Sequence, residues 1–465
     1  MTTLLPQNLL YQNRLESAYA RSFTTHIQPQ NGQNSYLPGQ TIIINVPTSR
    51  NQVLVSSESI LKFNLQVTNN ATASNYVRLD KAGAHGPFSR IRVYHGSQLL
   101  EDLDNYNNIV AQMTVLQKSS GCIGKDSVMQ GFAEESFCSV QGANTTTNSN
   151  QVAQIVAGER LLGPAGGSQF VAIAANAVTE ARTYCISLMS IMGSLCADKY
   201  LPLFAMTSAP LRIELQLASS ASKFICSHTA LTSYELNNVE YIASIMELGD
   251  LAMNKISESL QSQPLQFVVS QFKNYVHNMT IGTASQNVSI PVPAKFNSLK
   301  SLFTTLRQHA DGANTHFPFG SYAYSIREYT LRLGSKVIPS KAPSTLTEMY
   351  IELLKSISSI TDINHETLIS HNNYTVQIPE PNTETANALA ITCQSPSFMI
   401  GIDLEIYSNS SNKNQIFAGY NTSNDDLYLQ ILFDGLVGDT VIRADTYAMY
   451  DAVMICENGV CSIRF

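Results

Sequence analysis

The stretch Val441–Phe465, VIRADTYAMYDAVMICENGVCSIRF, decides how this chain is read. Apolar and polar residues alternate through Ile442, Ala444 and Thr446, and again at Val453 and Ile455 before Asn458-Gly459. That alternation is the period of a half-buried strand. Asn-Gly is the strongest two-residue hairpin signal, because both central residues of a type I′ turn need positive φ. The stretch is therefore expected to run strand, tight turn, strand. Such a turn sets Cys456 across from Cys461 in a non-hydrogen-bonded pair with Cα atoms roughly 4.5 Å apart, just within disulfide range. Two readings stay open there, a cross-strand disulfide or two small buried thiols on one face, and the reduced pair is the preferred one.

A hairpin needs a sheet, and the rest of the chain supplies one as a repeat. TIIINVP ends at Pro47 and NVSIPVP at Pro293, and each is followed by a further alternating strand, SILKFNLQV or SLKSLFTTL. RIRVYHGSQLLEDLDNYNNIVAQMTVL reads as strand, turn at Gly96-Ser97, short strand, then Leu103, Tyr106, Val110 and Met113 at helical spacing. YTLRLGSKVIPSKAPSTLTEMYIELLKSI repeats this around Gly334-Ser335. It then offers Thr345-x-x-Glu348 as a capping box, with Leu346, Tyr350, Leu353 and Ile357 on one face. Finally, PLRIELQL precedes YELNNVEYIASIMEL as DLYLQILF precedes YAMYDAVMI, so that Tyr234 aligns with Tyr447. The spacing between copies shrinks along the chain, which makes the first half's loops the longer ones.

One such pair is weak, but three in the same order argue for duplication. The expected fold class is all-β, two tandem barrels or sandwiches of about 200 residues each with short helices in the connections. The barrels are expected over 40–248 and 265–465, joined by a short helix within 249–264 that has no flexible-linker composition. Val140 to Gln169 and His309 to Ser325 are expected as outward surface loops.

At 465 residues the chain exceeds one ordinary core. A net charge of −7 with 14% charged residues argues against a wide basic face for a phosphate backbone, so direct, specific nucleic-acid binding is not expected. The eight cysteines form no CxxC pair and are read as mostly free thiols, as in intracellular synthesis. The opening MTTLLPQNLLYQNRLESAYARS lacks the order of a signal peptide, and no run of 18 apolar residues occurs, so a soluble product not secreted by the usual route is expected. Sequons such as those at Asn70, Asn278 and Asn421 arise by chance in a chain rich in Asn, Ser and Thr, and carry little weight.

No catalytic, cofactor-binding or metal-ligating residue emerges. Gly163 to Gln169, GPAGGSQ, lacks the Lys-Ser/Thr of a phosphate loop. His365 and His371 are without a ligand spacing, and no G-x-S-x-G elbow exists. The acidic pairs Glu134-Glu135 and Glu101-Asp102 read as solvated loop and helix-start charges.

Two patches carry a resemblance: Gly96, Leu99, Leu100, Glu101 and Tyr106 after the first repeat's strand, and Tyr447, Tyr450, Asp451, Asn458 and Gly459 in the closing hairpin. With KYLPLFAMTSAPLRIELQL, they make the chain resemble the double jelly-roll major capsid proteins of DNA viruses, closest to polinton-like viruses and virophages. The resemblance implies a homotrimer with six upright barrels, a pseudo-hexameric tile of an icosahedral virus shell, located in the virion. It implies as partners the chain itself, then penton and minor capsid proteins. An N-terminal arm, 1–39, would dock Leu4, Leu5, Leu9 and Leu10 beneath neighbours or against an inner membrane. With only Arg14 and Arg21 as basic residues there, genome compaction falls to other proteins. The rival readings are a tandem β-sandwich that binds glycans, as a fibre or lectin, and an enzyme on the same scaffold, for which no pair of carboxylates is found.

Overall fold

A computed structural model describes residues 19–32, 34–70, 75–118, 126, 128–132, 171–179, 181–196, 199–227, 231, 233–260, 263–309, 317–358, 360, 366–377, 395–406, 418–436 and 440–465. The first half holds β1 (Ala20–Ile27), β2 (Ser35–Tyr36), β3 (Thr41–Val46), β4 (Gln52–Leu54), β5 (Ile60–Thr68), β6 (Asn75–Leu79), β7 (Phe88–His95) and β8 (Gln98–Asp104). Helix α1 (Tyr106–Gln117) follows, then β9 (Val171–Ile173), β10 (Arg182–Ile186), β11 (Leu211–Leu217), β12 (Ile225–Ser227) and β13 (Ser233–Leu248). Helix α2 (Asp250–Leu260) leads to β14 (Leu265–Ile281), β15 (Gln286–Val292), β16 (Leu299–Gln308), β17 (Ile326–Leu333) and β18 (Lys336–Ile338). The chain ends through α3 (Leu346–Lys355), α4 (His371–Tyr374), β19 (Ile400–Asp403), β20 (Leu427–Phe433), β21 (Thr440–Glu457) and β22 (Val460–Arg464).

The order of the main strands repeats from half to half. In the first half the orders are β1-β13-β5-β10 and β3-β11-β7-β8; in the second they are β14-β21-β16-β19 and β15-β20-β17-β18. Each half is thus built on two antiparallel sheets of four main strands with crossing connections, a jelly roll; β2 and β4 add to β13, β22 adds to β21, and β12-β6-β9 form a separate three-stranded sheet in the first half. The duplication reaches single residues. Val46, Leu211, His95 and Gln98 form one row across four strands of the first half. Val292, Leu427, Leu333 and Lys336 form the matching row in the second.

Local chemistry explains the match. β3, β5 and β11 alternate buried with half-buried residues, so one face of each, such as Ile42, Ile44 and Val46, enters the core. Each such side chain contributes roughly 1.5–3 kcal/mol of transfer free energy. The two sheets of a barrel meet through contacts such as the edge-on rings of Phe63 and Phe88, 5.3 Å between centroids. Gly96 and Gly334 carry positive φ at the first position of their two-residue turns, the type II′ geometry that suits strand twist. Asn458 (φ 52°) and Gly459 (φ 80°) form the expected I′ turn.

The barrels stand side by side with the same polarity. The end carrying the turns at Gly96-Ser97, Gly334-Ser335 and Asn458-Gly459 is termed the base, and β13 descends to it before α2 starts β14 upward from it. Base meets base: Gly459 O accepts the Ser208 N–H at 3.2 Å. Top meets top through equivalent connections. Phe319 N–H, between β16 and β17, donates to Asp80, between β5 and β7, at 2.8 Å, and Leu368 N–H, between β18 and β19, donates to Val115 O at 2.8 Å.

Several expectations shift. The 1–39 arm does not run free to Gly39, because Ala20–Ile27 pairs along its whole length with Tyr241–Leu248 as the outer strand of the first barrel; residues 1–18 lie outside the described residues. Tyr234 and Tyr447 share a strand position but not a level. Tyr234 pairs with Val67 near the end of β5, Tyr447 with Phe303 in mid-β16. Leu103 belongs to β8 rather than to the helix. Thr345 caps α3 by accepting the Glu348 N–H at 3.2 Å, but the Glu348 carboxylate reaches back to the Ser344 N–H (2.7 Å), one residue beyond the expected box. The loop at His309 to Ser325 turns inward from Phe319, with Phe319, Tyr322 and Tyr324 buried. Val140 to Gln169 lies outside the described residues. Cys456 and Cys461, directly opposed in β21 and β22 with Cα atoms 4.1 Å apart, form a disulfide rather than the expected reduced pair.

Candidate functional site: the seam between the barrels and its bare counterparts

Helix α1 is the axis of the seam. Its sequence, YNNIVAQMTVLQ, holds no charged residue, and Tyr106 to Leu116 are all buried, as befits a helix with no solvent face. Buried amides must find partners: Asn107 finds one in its own barrel, Gly86 O at 3.0 Å, and Asn108 and Gln112 find theirs in the second barrel. Asn108 Nδ2 donates to Tyr447 Oη at 2.9 Å and to Thr305 Oγ1 at 3.3 Å. Tyr447 Oη donates onward to Asn105 O at 3.1 Å, and Gln112 Nε2 to Phe319 O at 3.1 Å. Lys81, from the first barrel, buries its ammonium on Gln112 Oε1 (3.0 Å), Pro396 O (2.8 Å) and Ser397 Oγ (3.1 Å). Beneath Tyr447, Asp445 is buried between Arg307 Nε at 2.9 Å and Arg443 Nε at 3.0 Å.

Lower in the seam, β8 faces β14. Gln271 Nε2 donates to Leu100 O at 2.8 Å and Gln271 Oε1 accepts from Tyr450 Oη at 2.9 Å. The pair Glu101-Asp102 sits here, and the expectation of solvated charges fails for both. Glu101 is buried: its Oε2 accepts from Ser190 Oγ and from the Ile191 N–H (3.1 Å), while Oε1 has no partner. Burial pushes its carboxyl up to about 7, against the lowering pull of those two hydrogen bonds. Asp102 is raised by burial too, but Arg90 (2.7 Å) and Lys273 (3.5 Å) outweigh it and hold the carboxyl below its ordinary range. At the first residue of α1, Tyr106 Oη meets His85 Nδ1 (2.9 Å) and accepts the Met189 N–H (3.0 Å). Burial lowers His85 to about 4, so the ring is neutral. Glu101 and Tyr106 thus grip the same connection, Leu188–Cys196, from two sides.

The counterparts of these faces are bare. Where α1 is enclosed, α3 buries only Met349 and Leu353 on its own barrel, and Ile351 is 36% exposed. Its close seat depends on Gly401, where a Cβ would lie 2.6 Å from Leu353 Cα. β18 has no buried residue, whereas β8 has three. Likewise β14 is covered by the first barrel, while β1, which occupies the same place in its sheet, has no buried residue and exposes Phe23.

His371 is exposed at the start of α4, and Glu134-Glu135, His365 and Gly163 to Gln169 lie outside the described residues. Among the described residues no three His, Cys, Asp or Glu side chains are placed to hold a metal ion, and no helix is long and apolar enough to cross a membrane. The importance of α1 had one visible sign, a twelve-residue helix without charge. Glu101 had none, because nothing in LLEDLD separates a buried carboxylate from an exposed one.

No family model and no curated protein matches the chain. Solved structures do. The PBCV-1 virus capsid aligns over 98% of this chain and 99% of its own at 8% identity, with a TM-score of 0.59. The Faustovirus major capsid protein aligns over 98% and 93% at 8% identity and TM-score 0.59. The mavirus major capsid protein aligns over 100% and 95% at 9% identity and TM-score 0.54. Over nearly its whole length, therefore, this chain has the fold of these viral capsid proteins, two jelly rolls set side by side in one polypeptide.

Proposed function

We propose that this chain is a major capsid protein that self-assembles as pseudo-hexameric homotrimers tiling an icosahedral DNA-virus shell. The observation that carries the reading is the covered-and-bare pairing. Within the chain, the β8–α1 face of the first barrel is closed by β14 and β21 of the second. The same two kinds of face stand open at the outer flanks, β18–α3 on one side and β1 on the other. A second copy offers β1 to β18–α3 by the operation that already relates the barrels inside one chain. Such a heterologous contact yields a ring when the rotation closes, and six barrels in three chains are its proposed closure. The proposed division keeps 265–465 as the second barrel and 249–264 as the connection, and adds Ala20–Ile27 to the first barrel over 40–248. Residues 1–18, with Leu4, Leu5, Leu9 and Leu10, are the proposed tie to neighbouring capsomers or an inner membrane, and penton and minor capsid proteins the further partners.

Light scattering on the purified full chain tests this. The expected mass is three times 50.9 kDa, about 153 kDa, and Ile351→Arg is expected to reduce it to one chain while leaving the β-sheet circular dichroism unchanged. A monomeric wild-type chain that binds glycans would replace this reading by the attachment-protein one.

A further inference from the structure

The terminal hairpin fills a slot that the two barrels fill differently. In the first barrel β5 stops at Ile242 of β13, and β4, from the barrel's own connection 47–59, pairs with Ile245–Glu247 below it. In the second barrel β16 stops at Tyr450 of β21, and the corresponding connection, 293–298, supplies no strand. The slot at Val453–Glu457 is taken by β22. β22 therefore has a single partner strand, and its far side lies on the first barrel.

That docking is specific. The Cys461 N–H donates to His95 Nδ1 at 3.1 Å, which puts the ring proton on Nε2, facing the carbonyls of Ala209 (3.1 Å) and Met206 (3.3 Å). Gly459 O accepts the Ser208 N–H (3.2 Å) and Oγ–H (2.8 Å), and a Cβ on Gly459 would stand 2.7 Å from Thr207 Oγ1. In the repeat, the place of His95 is held by Leu333. A five-residue strand with one partner is marginal by itself, and the Cys456–Cys461 bond lies across it.

We infer that this disulfide is an oxidation-set clasp: closed, it holds β22 in its slot and fastens the base of the second barrel to the first, and open, it lets β22 leave His95 and Ser208. The oxidant is a small-molecule disulfide such as oxidised glutathione. One cysteine thiolate attacks it and expels a glutathione thiolate; the other cysteine's thiolate then attacks the mixed disulfide and expels the second. The pair loses two protons and two electrons, and two glutathione thiols are formed. Cys461 is fully buried and Cys456 is 5% exposed, so exchange takes place only while the hairpin is unseated. The clasp is a property of the fold and holds whatever the chain assembles into.

Hydrogen exchange with mass spectrometry on the full chain tests it, comparing protein equilibrated with oxidised glutathione, protein purified throughout in reductant, and the Cys456→Ser/Cys461→Ser variant. The clasp predicts at least tenfold faster exchange at Val460–Arg464 and Ser208 in the reduced and variant proteins, with Leu211–Leu217 unchanged. It also predicts that reductant opens the bond of the oxidised native protein only in denaturant. Equal exchange at Val460–Arg464 in the three samples, or recovery of both cysteines as thiols after oxidised glutathione, overturns it.

Discussion

Replacing Glu101 by Gln is expected to stabilise the protein above neutral pH. The folded-state carboxyl titrates near 7 rather than at its ordinary 4.5, because it is buried with one oxygen unpartnered. A raised folded-state value means that the unfolded chain releases the proton first. Glu101 therefore carries no penalty below pH 4.5, and its cost grows as pH rises through 7 and is constant beyond. At 1.36 kcal/mol per unit, 2.5 units amount to about 3 kcal/mol. Gln keeps an acceptor for the Ile191 N–H and the Ser190 hydroxyl without the charge. Urea unfolding of both proteins, at one protein concentration and at steps between pH 4.5 and 8.5, reads the difference directly. Equal stability within about 1 kcal/mol is expected at pH 4.5, with the variant ahead by up to about 3 kcal/mol at pH 8.5. A difference that stays flat with pH, or a variant weaker at pH 8.5, would refute the buried-carboxylate reasoning.

The opposite sign holds for His85. Its value is depressed to about 4 by burial, so its contribution is intact above pH 6.5 and is lost as pH falls through 4, and its ring resonances should titrate near 4. Asn108→Ala removes two donated hydrogen bonds in a buried seam and should cost roughly 2–4 kcal/mol, with a coupling of about 1 kcal/mol to Tyr447→Phe in a double-mutant cycle and none to Tyr234→Phe, whose hydroxyl bonds within its own barrel. Gly401→Ala forces the new methyl against α3 and should lower stability by about 1–3 kcal/mol in thermal unfolding. Thr345→Ala loses the cap of α3 and should cost about 1 kcal/mol in the same assay.

Much of the architecture could be read before the coordinates, for a physical reason. Strand period, Gly-Ser turns with positive φ and Asn-Gly are local properties, so the landmarks at Val46, Gly96, Val292 and Gly334 fell on matching rows. What failed was non-local. Tyr234 and Tyr447 look alike in sequence, yet they sit at different levels because strand length above each is set by loops elsewhere. β1 falls within the arm that the resemblance implies, and ARSFTTHI, which has no fully buried residue, gives no core-facing pattern to mark it as a strand. The seam was invisible for a related reason. Asn108, Lys81 and Glu101 are ordinary polar residues until a second barrel removes their water, and only the missing charge in α1 hinted at it. The disulfide turned on chemistry that spacing permits but does not decide.

The central claim is that two like barrels in one chain make a sixfold-looking block from three chains. Particle images of the purified assembly, averaged in projection down its axis, test it most directly. The account predicts six lobes of similar size under true threefold symmetry. Averages with two lobes, or a ring whose lobe count is not six, would contradict it.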